Sequence, residues 1–562
     1  MNSAATANTW NKSVTFSIPR EKIDHLNLDI SLASSDVQLV KQVAVKDVND
    51  AFCCLLLSNT AKKLYNSALY LFKQQYKQNQ TTLTYETLDK LMKNEKLHPD
   101  YAKIYKDLPA KVSQQVLKLF SQNIKSFFAL KQSEKLTEEE RKKVNLPRYY
   151  SKNGLIPVYY TSQAISKKAF NKEGVLHFSG TDLKIKLDKS LLQEIKSFSQ
   201  INQVRIVPST KNDKNQRLSD LLNKRDLFTI EIVYTVSSSE SGKCISEENK
   251  SLELLYRTSV IHKINRKTNK IATIKTEELV EARYTEDFLK SVAGIDQNLD
   301  QLAVGVVRRR SSSGETTAFT YDIKYLKSVN QYWNKQKAKL QEEISKQEKL
   351  LEELKYAKLD FYQTFLTEYT TSRLIEDTKI LIKKFKNKIK RITTKRNHKI
   401  DNYIHQLSRK LINHLSELGV KNIIYGKNVN FKKEINLGKV TNQNFVNIPF
   451  NQIIERLRYK ALLAGINFMT VEESYTSKTS FLDEEKLHSY KANKPKKGYT
   501  FIGNRFTRSL FKSKEGYIIH ADINASFNII RKVTGDGYAI YNFVDKASIR
   551  GSCPKRVKIN LA

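Results

Sequence analysis

Two stretches decide the fold of the C-terminal half of the chain: GIDQNLDQLAVGVV at residues 294–307 and HADINASFNII at residues 520–530. The first pattern predicts a strand, a tight polar turn and a second strand. The second predicts the junction between a strand and a helix. Asp296 and Asp522 interrupt these apolar runs, and a carboxylate among apolar residues is costly unless a cation compensates its charge. Both aspartates are therefore candidate functional residues.

The residues between these two stretches alternate between helical and strand patterns. Residues 326–418 carry a helical period that predicts two long antiparallel helices, with one long solvated helix as the alternative. Gly419 then provides a left-handed cap, and a short strand follows at residues 422–425. A helix at about residues 453–463 and a strand at residues 466–471 come next. This alternation predicts an α/β layer with a mixed sheet.

The N-terminal half has a different pattern, in which strands flank a helical segment. Residues 1–50 read as short strands, and the period changes to that of helices from about Asn49. Pro147 ends the helical region, and residues 147–290 return to short, alternating strands. We therefore expect a β-rich unit, a small sheet or barrel, that is interrupted by a helical insertion.

The charge balance points to a polyanionic partner. The 562 residues include 97 lysines and arginines against 58 aspartates and glutamates, which gives a formal net charge of +39. Such an excess repels itself in a compact state, and phosphate groups both neutralise it and release counterions on binding. The 40% content of apolar residues excludes wholesale disorder. We expect a globular protein that binds nucleic acid.

Cysteine usage and hydropathy predict where the protein resides. Cys53, Cys54, Cys244 and Cys553 match neither a disulfide framework nor a CxxC pair, which favours a reducing compartment. No stretch approaches the roughly 18 to 20 apolar residues that span a bilayer. The N-terminal residues lack the charged and apolar regions of a secretory signal. We expect an intracellular protein with no membrane partner.

A further pair of carboxylates follows the strand at residues 466–471. Glu472 and Glu473 come directly after its apolar residues. Divalent ions such as Mg²⁺ prefer carboxylate oxygens, and two ions about 4 Å apart can clamp a phosphoryl displacement. Aspartate on a first strand, glutamate on a later strand and aspartate at a helix start form the set that a ribonuclease-H-like site needs. Two alternatives remain: Asp522 as a helix N-cap, and the glutamates as a solvated strand end.

These motifs resemble those of a known family. GIDQNLDQLAV looks like the first motif of the RuvC nuclease of TnpB proteins, eukaryotic Fanzor proteins and type V CRISPR effectors. HADINASFNII is similar to their third motif, usually D-x-N-A-A-x-N-I. The resemblance extends over nearly the whole chain, through KRNHKIDNYIHQLSRKLINH, IIYGKNVNFKKEINLGK, VEESYTSKTSFLD, KLYNSALYLF, KVSQQVLKLF, KSFFALK, LPRYYSKNG and QVRIVPS.

The resemblance implies an RNA-guided DNA endonuclease whose fold combines an α/β nuclease with a β-barrel and a helical lobe. Residues 1–50 would be the first part of a wedge-like β-barrel, residues 51–146 a helical recognition lobe, and residues 147–290 the second part of the barrel. Residues 291–562 would be the ribonuclease-H-like RuvC nuclease domain, with a long helical insertion at about 325–400. A basic protein of this kind holds RNA and the heteroduplex through their backbones.

The implied partners are a guide RNA and a target double-stranded DNA that carries a short target-adjacent motif. The implied location is the cytoplasm or nucleoid, or the nucleus if the host is eukaryotic. The resemblance leaves the guide sequence, the target-adjacent motif and the choice between monomer and dimer open.

The chain departs from the family at the second motif, where a glutamate usually follows an apolar strand as V-x-E-D-L. Gly426 stands at that position here. Some members of the family supply the glutamate from a neighbouring strand just before the Y-T-S motif, which makes Glu473 the replacement and Glu472 its alternative. On a strand these two side chains point to opposite faces, so only one can serve. Glu434 is a third candidate, and its alternative role is to form ion pairs with nearby lysines.

The resemblance thus implies Asp296, Glu473 and Asp522 as catalytic residues and as ligands of two Mg²⁺ ions, with Mn²⁺ as a possible substitute. One ion would activate water and the other would stabilise the leaving 3′ oxygen.

The second departure concerns zinc. Most TnpB proteins carry a CxxC…CxxC site between the Y-T-S motif and the last aspartate, whereas residues 478–517 contain no cysteine. We therefore expect no structural zinc of the usual form, and the segment must be held by packing. Arg505 and Arg508 in this segment could approach the scissile phosphate, and salt bridges are the alternative role for both.

Several residues are candidates for contacts with nucleic acid. The helical run at residues 383–399 is basic around most of its circumference, which is either a solvated face or a contact with RNA or heteroduplex. Its candidate contacts are Lys383, Lys384, Lys390, Arg391, Lys395 and Arg396. Candidates for the target-adjacent motif are Tyr65, Gln114, Gln115 and Lys118. His405 and His414 lie nine residues apart on one helix, so we do not expect them to be ligands.

Three functions compete at this stage. The first is an active RNA-guided nuclease that uses Asp296, Glu473 and Asp522. The second is a nuclease-dead RNA-guided regulator of the same family, which Gly426 motivates. The third is a DDE-type transposase, which also uses three carboxylates but requires a separate DNA-binding domain that the sequence does not show. The presence of a replacement glutamate favours the first.

Overall fold

The structure is a computed structural model, and two compact units account for its architecture. One unit comprises Asp36–Ser237, and the other comprises Met1–Ser35 together with Ser238–Ala562. The described residues are 15–33, 36–79, 82–133, 136–209, 227–236, 251–264, 271–298, 300–310, 313–359, 365–427, 448–489, 495, 498–535, 541, 544, 546–549 and 554–557.

The strands of the described residues fall in both units. They are β1 (Thr15–Pro19), β2 (Asp29–Ser31), β3 (Val37–Ala44), β4 (Val158–Thr161), β5 (Val175–His177), β6 (Lys184–Lys186), β7 (Ile201–Pro208), β8 (Phe228–Val236), β9 (Leu252–Ile264), β10 (Ile271–Thr285), β11 (Ser291–Gln297), β12 (Gln301–Arg310), β13 (Ser313–Asp322), β14 (Asn422–Lys427), β15 (Asn467–Glu472), β16 (Asn504–Arg505), β17 (Leu510–Lys512), β18 (Ile518–His520) and β19 (Lys555–Val557).

The helices are distributed in the same way. They are α1 (Arg20–His25), α2 (Val48–Asn79), α3 (Tyr85–Lys93), α4 (Pro99–Lys106), α5 (Ala110–Lys131), α6 (Glu138–Lys143), α7 (Lys167–Glu173), α8 (Lys189–Glu194), α9 (Glu286–Leu289), α10 (Lys324–Leu359), α11 (Phe365–Glu417), α12 (Phe450–Leu463), α13 (Ala521–Thr534) and α14 (Lys546–Ile549), with short 3-10 turns at Ser162–Ala164 and Phe198–Gln200. No helix among the described residues is long and apolar enough to cross a membrane.

The unit of residues 36–237 packs helices against a small antiparallel sheet. Its four strands lie in the order β3-β8-β7-β4. Apolar residues at helical spacing on α2 and α5, such as Phe72 and Phe120, are buried in one core with Val204 and Ile232 of the sheet. The helices and strands that the sequence predicts here are present. Their assignment to a recognition lobe and a wedge-like barrel stays a prediction.

The second unit is built on a seven-stranded mixed sheet in the order β19-β13-β12-β11-β14-β15-β2. Strand β11 pairs antiparallel with β12 and parallel with β14, which in turn pairs parallel with β15. One face of the sheet packs on α13, in a core that includes Ile424 and Phe527. The other face packs on α11 and α12, in a core that includes Ile423, Leu411 and Leu457. The mixed α/β character expected from the sequence is therefore present.

The predicted pair of long helices is also present. Helices α10 and α11 replace the alternative of one long helix, and Gly419 after α11 has a φ of 75°, as its role as a cap requires. The grouping of residues 1–50 differs from the sequence-based division, because β2 joins the seven-stranded sheet beside β15. A strand pattern identifies an extended segment but not its partner.

Close packing of α13 on the sheet fixes the face on which Asp296 lies. A Cβ atom added at Gly294 would lie 2.1 Å from the carbonyl oxygen of Ser526 on α13. Only glycine allows this approach of helix to strand. Asp296 is two residues further along β11, so it lies on the same face as Gly294 and near the start of α13.

Candidate active site

Asp296 lies near the end of β11, at the centre of a cluster of charged groups. Its side chain is half-buried. Burial raises the pKa of the Asp296 carboxyl well above its usual range, and the neighbouring carboxylates of Glu473 and Asp522 raise it further. Arg505 acts in the opposite direction. Three carboxylates from separate parts of the sequence therefore share one electrostatic site, as the sequence-based hypothesis requires.

Glu473 follows the last residue of β15 and lies beside Gly426 of the neighbouring strand. A Cβ atom added at Gly426 would lie 3.3 Å from the Cβ atom of Glu473 and 2.5 Å from Cδ1 of Ile529. A side chain at position 426 would therefore compete with Glu473 for space. The position where the family usually places its glutamate directly adjoins the replacement that the sequence proposed.

Glu472 is directed elsewhere. Its carboxylate is buried, and its Oε2 atom lies 3.9 Å from Nζ of Lys532, whose side chain is only 2% exposed. The backbone N–H of Glu472 donates to the carbonyl oxygen of Leu26 at 2.9 Å. Glu472 is therefore buried against a lysine, as a residue with a structural role would be. The alternative that Glu472 and Glu473 form a solvated strand end does not hold for Glu472.

Asp522 is the second residue of α13 and is 9% exposed. The N-cap of this helix is His520, so the alternative role of Asp522 as a helix N-cap is wrong. Its Oδ2 atom accepts hydrogen bonds from Nδ2 of Asn298 at 2.7 Å and Nε2 of Gln301 at 2.8 Å. Its Oδ1 atom accepts one from Arg505 at 2.9 Å. The helix N-terminus further favours a negative charge here.

Asn298 and Gln301 are functional candidates that the sequence analysis did not single out. Asn298 lies in the polar turn after β11, and Gln301 is the first residue of β12; the sequence analysis interpreted this stretch only as a turn and a second strand. The signal was present, since the amide side chains two and five residues after the first-motif aspartate are available as donors to a carboxylate. Their partner, Asp522, lies more than 200 residues away in sequence, and no local pattern indicates it.

Arg505 and Arg508 both form ion pairs in this structure. Arg505 lies on β16 of a three-stranded sheet, β16-β17-β18, and pairs with Asp522. Arg508 is 86% exposed and pairs with Asp300 at 3.1 Å. The alternative role that the sequence left open, salt bridging, is therefore observed for both. Their approach to a scissile phosphate stays a prediction.

A buried carboxylate holds the segment in which most relatives carry zinc ligands. Glu485 is 2% exposed. Its Oε1 atom accepts hydrogen bonds from the backbone N–H of Ile502 at 2.9 Å and from the hydroxyl of Tyr499 at 3.1 Å. Its Oε2 atom accepts one from the N–H of Ser480 at 2.7 Å. Polar bonds therefore supplement the packing that the sequence led us to expect.

Two buried amides on α13 fix the loop that follows Glu473. Nδ2 of Asn524 donates to the carbonyl oxygen of Thr479 at 2.9 Å, and Oδ1 of Asn524 accepts from the N–H of Phe481 at 2.9 Å. Nδ2 of Asn528 donates to the carbonyl oxygens of Thr476 and Thr479. These bonds connect the helix that carries Asp522 to the segment that begins with Glu473, so they set the two carboxylates relative to each other.

The donor set suits a hard divalent ion, although the carboxylates do not converge into a closed coordination shell. No three His, Cys, Asp or Glu side chains in the described part of the chain are spaced to hold an ion. Two features nevertheless fit a cation: the ligands are all carboxylate oxygens, and the cationic group of Arg505 already contacts Asp522. Asp296, Glu473 and Asp522 are the residues that would hold such an ion.

The candidate nucleic-acid contacts differ in their environments. The candidates that are exposed on α11 are Lys383, Lys384, Lys390, Arg391 and Lys395. Arg396 is instead half-buried, donates to Oδ1 of Asn330 at 2.8 and 2.6 Å, and stacks over Trp333 at 5.2 Å. This bonding makes Arg396 part of the contact between α10 and α11.

In the other unit, Tyr65 is 2% exposed, and its hydroxyl accepts from Nδ2 of Asn123 at 3.0 Å. Its ring packs edge-on against Phe120, so contact with nucleic acid would require Tyr65 to leave the core. Gln114 and Gln115 are partly buried, while Lys118 is exposed with its ammonium 5.4 Å from the centre of the Tyr85 ring. Glu434 lies outside the described residues.

Comparison with known proteins adds two family matches in this second unit. Residues 273–432 match the family model OrfB_IS605, described as a probable transposase. Residues 450–529 match the Cas12f1-like TNB domain. Among curated proteins, none matches this chain.

The comparison with solved structures also gives matches, all at low sequence identity. A cryo-EM structure of a Cas12f1–sgRNA–target DNA complex has 13% identity and a TM-score of 0.23, with 88% of this chain and 98% of that chain covered. A cryo-EM CRISPR-Cas12f ternary complex has 12% identity and a TM-score of 0.23, with coverages of 86% and 81%. A crystal structure of an AacC2c1–sgRNA–extended non-target DNA complex has 9% identity and a TM-score of 0.32, with coverages of 81% and 62%.

The second unit is thus a mixed α/β unit with a carboxylate cluster at the ends of its central strands, and its two family matches are to a probable transposase and to a Cas12f1-like domain. Over residues 273–432 and 450–529 the chain is similar to the probable transposases of the OrfB_IS605 family and to Cas12f1-like proteins, in agreement with the resemblance that the sequence motifs indicate.

Proposed function

We propose that this protein is an RNA-guided DNA endonuclease that cuts guide-matched DNA beside a short target-adjacent motif. The observation that carries this proposal is the shared electrostatic site of Asp296, Glu473 and Asp522, in which two carboxylates raise the pKa of the third. Holding like charges close together costs electrostatic free energy. Groups whose pKa values are strongly shifted in this way are often found at functional sites. The matches to a probable transposase and to a Cas12f1-like domain support DNA as the substrate.

The proposed chemistry is phosphodiester hydrolysis by residues of a RuvC-type nuclease domain. Two divalent ions, Mg²⁺ or Mn²⁺, would supply an activated water and stabilise the leaving 3′ oxygen. Asp296 and Glu473 would bind and orient from the ends of β11 and β15, and Asp522 from the first turn of α13. Arg505 has the planar donor geometry that suits a phosphate oxygen, and it already lies beside these carboxylates.

The proposed partners are a guide RNA and its target DNA. The net charge of +39 supplies the neutralisation that a long heteroduplex requires. The exposed lysines of α11 extend from the same unit as the carboxylate cluster, which favours backbone contacts that do not depend on sequence. We propose that the unit of residues 36–237 contains the recognition lobe and part of the wedge-like barrel.

A nuclease-dead regulator is the alternative that Gly426 motivates. Two observations support the active nuclease instead: Glu473 lies directly beside Gly426, and its charge raises the pKa of the Asp296 carboxyl. In a protein without nuclease activity, the mutual repulsion of three carboxylates would be a cost without a functional benefit.

The test is cleavage by the complex of the full chain with its flanking transcript. We expect a guide-matched plasmid to be cut in Mg²⁺, not to be cut in EDTA, and not to be cut by Asp296→Asn. The Asp296→Asn complex should still bind the target, which shows that guide loading is intact. Tight guided binding by wild type without cutting in Mg²⁺ or Mn²⁺ would refute the nuclease and establish the regulator.

A further inference from the structure

The two oxygens of Asp522 have different environments. Oδ2 accepts two hydrogen bonds from neutral amides, Asn298 and Gln301, whereas Oδ1 accepts one from the cationic Arg505. A carboxylate oxygen that accepts two bonds of 2.7 and 2.8 Å has both lone pairs engaged. Oδ1 is therefore the oxygen through which Asp522 can take a metal ion.

The amide of Asn298 has a fixed orientation, because the turn that carries it is closed by its own hydrogen bonds. Oδ1 of Asn298 accepts from the backbone N–H groups of Asp300 and Gln301, both at 2.9 Å. The backbone N–H of Asn298 donates to the carbonyl oxygen of Gln301 at 3.1 Å. With the turn closed in this way, Asn298 presents its NH₂ group to Asp522 in one orientation.

Arg505 differs from the amides in both position and exposure. It lies on β16, a strand of only two residues, and its side chain is 40% exposed. A long, partly solvated arginine can leave Oδ1 without breaking the fold. Besides Asp522, the titratable groups that share this site with Arg505 are Asp296 and His520, together with Glu473, which is coupled to Asp296.

We infer that Arg505 occupies Oδ1 of Asp522, the oxygen that faces the metal site, and is replaced there by the divalent ion. Asn298 and Gln301 are positioning residues: they bind Oδ2 and so leave Oδ1 as the oxygen at which this exchange takes place. This inference deepens the proposed function and rests on it for the identity of the metal site. The exchange keeps the carboxylate cluster neutralised before the ion binds. Afterwards it releases a guanidinium next to the reacting phosphate.

The inference predicts that removal of Arg505 strengthens metal binding, which is the opposite of what loss of a metal-site residue normally does. The experiment is a titration of the full chain, free of RNA, with Mn²⁺ alone, in which bound ion is followed by electron paramagnetic resonance. Wild type, Arg505→Ala, Arg505→Lys and Asp522→Asn are compared at one ionic strength. Arg508→Ala is the matched control, since it removes an arginine from the same segment that pairs with Asp300 instead.

Arg505→Ala should bind its first Mn²⁺ ion about three- to tenfold more tightly, the range that a half-exposed ion pair can account for. Arg505→Lys should lie between Arg505→Ala and wild type, and Arg508→Ala should match wild type. Asp522→Asn should bind more weakly. Gln301→Met, which keeps the length of the side chain without its donors, should also bind more weakly because Asp522 loses its fixed orientation.

Unchanged or weaker Mn²⁺ binding in Arg505→Ala, with Asp522→Asn still impaired, would overturn the exchange but leave the metal site and the nuclease proposal intact. Unchanged binding in Gln301→Met would overturn the positioning role. If Asp522→Asn binds Mn²⁺ like wild type, the carboxylate cluster is not the metal site, and the exchange and the catalytic assignment are both overturned. Tighter Mn²⁺ binding in Arg505→Ala, together with a wild-type guide complex that never cuts DNA, would support the exchange and refute the nuclease.

Discussion

Glu472 and Glu473 are adjacent in sequence, yet their replacement by glutamine should have opposite effects on stability and on activity. Glu473→Gln removes a charge that repels Asp296. The folded protein should therefore be unchanged or slightly more stable, while the loss of a metal ligand should slow cleavage at least about a hundredfold. Glu472→Gln should leave cleavage within about threefold of wild type and destabilise the fold.

The size of the destabilisation follows from the contact with Lys532. Two unit charges 3.9 Å apart attract each other by about 4 kcal/mol at an effective dielectric constant near 20. Lys532 keeps its hydrogen bonds to the carbonyl oxygen of His488 at 2.6 Å and to Oγ of Ser474 at 3.4 Å, so part of the loss is compensated. We expect a net cost of about 2 kcal/mol, below the roughly 3–5 kcal/mol of a buried pair with ideal geometry.

The assay combines a thermal melt of the free protein with single-turnover cleavage by the guide complex. In a unit of this size, about 2 kcal/mol corresponds to a fall of roughly 3 °C in Tm. The expected pattern is a lower Tm with retained cleavage in Glu472→Gln, and a retained Tm with lost cleavage in Glu473→Gln. If Glu472→Gln abolishes cleavage while Glu473→Gln cuts normally, the catalytic assignment of Glu473 is wrong.

Three further predictions test the surroundings of the site. Gly426→Ala should slow cleavage by displacing Glu473 and should lower stability by about 1–2 kcal/mol. Ile529→Val removes the Cδ1 atom that would lie 2.5 Å from the new Cβ atom, so the double variant should recover part of the cleavage rate and part of the stability. Glu485→Ala should lower Tm by several degrees because it leaves buried N–H groups without acceptors, with exposed Glu484→Ala as control; a zinc chelator should leave the Tm of wild type unchanged. Burial lowers the pKa of Lys460 to about 8. Between about pH 8 and pH 10.5, Lys460 is therefore protonated in the unfolded chain but neutral in the folded protein, so the folded state becomes more stable as the pH rises. Over that window the free energy of unfolding of wild type should increase by up to about 3 kcal/mol relative to that of Lys460→Met. Equal pH profiles of stability for Lys460→Met and wild type would contradict the last prediction.

The sequence predicted local elements well because their signals are local. The period of 3.6 residues and the cap at Gly419 located α11, and alternating apolar residues located β8 and β11. The partner of each strand was not predictable in the same way. Strand β2 pairs with β15 across more than 400 residues, and nothing within Asp29–Ser31 indicates that neighbour. The side-chain roles of Tyr65 and Arg396 were missed for the same reason, because burial depends on what packs over a residue.

Glu473 could be proposed from the sequence because parallel strands end at the same edge of a sheet, but its fit depends on register. In the sheet, Gly426 pairs with Val471 and Lys427 pairs with Glu472. Glu473 is therefore one residue past the end of the paired region, where the chain leaves the strand and the Cβ atom of Glu473 lies close to Gly426. A slip of one residue would instead direct Glu472 into the site and leave Lys532 without its carboxylate. The buried pair between Glu472 and Lys532 is thus compatible only with the register that places Glu473 beside Gly426, whereas the backbone ladders of β15 with β14 and β2 maintain that register without it. Glu472→Gln should therefore cost stability and spare cleavage.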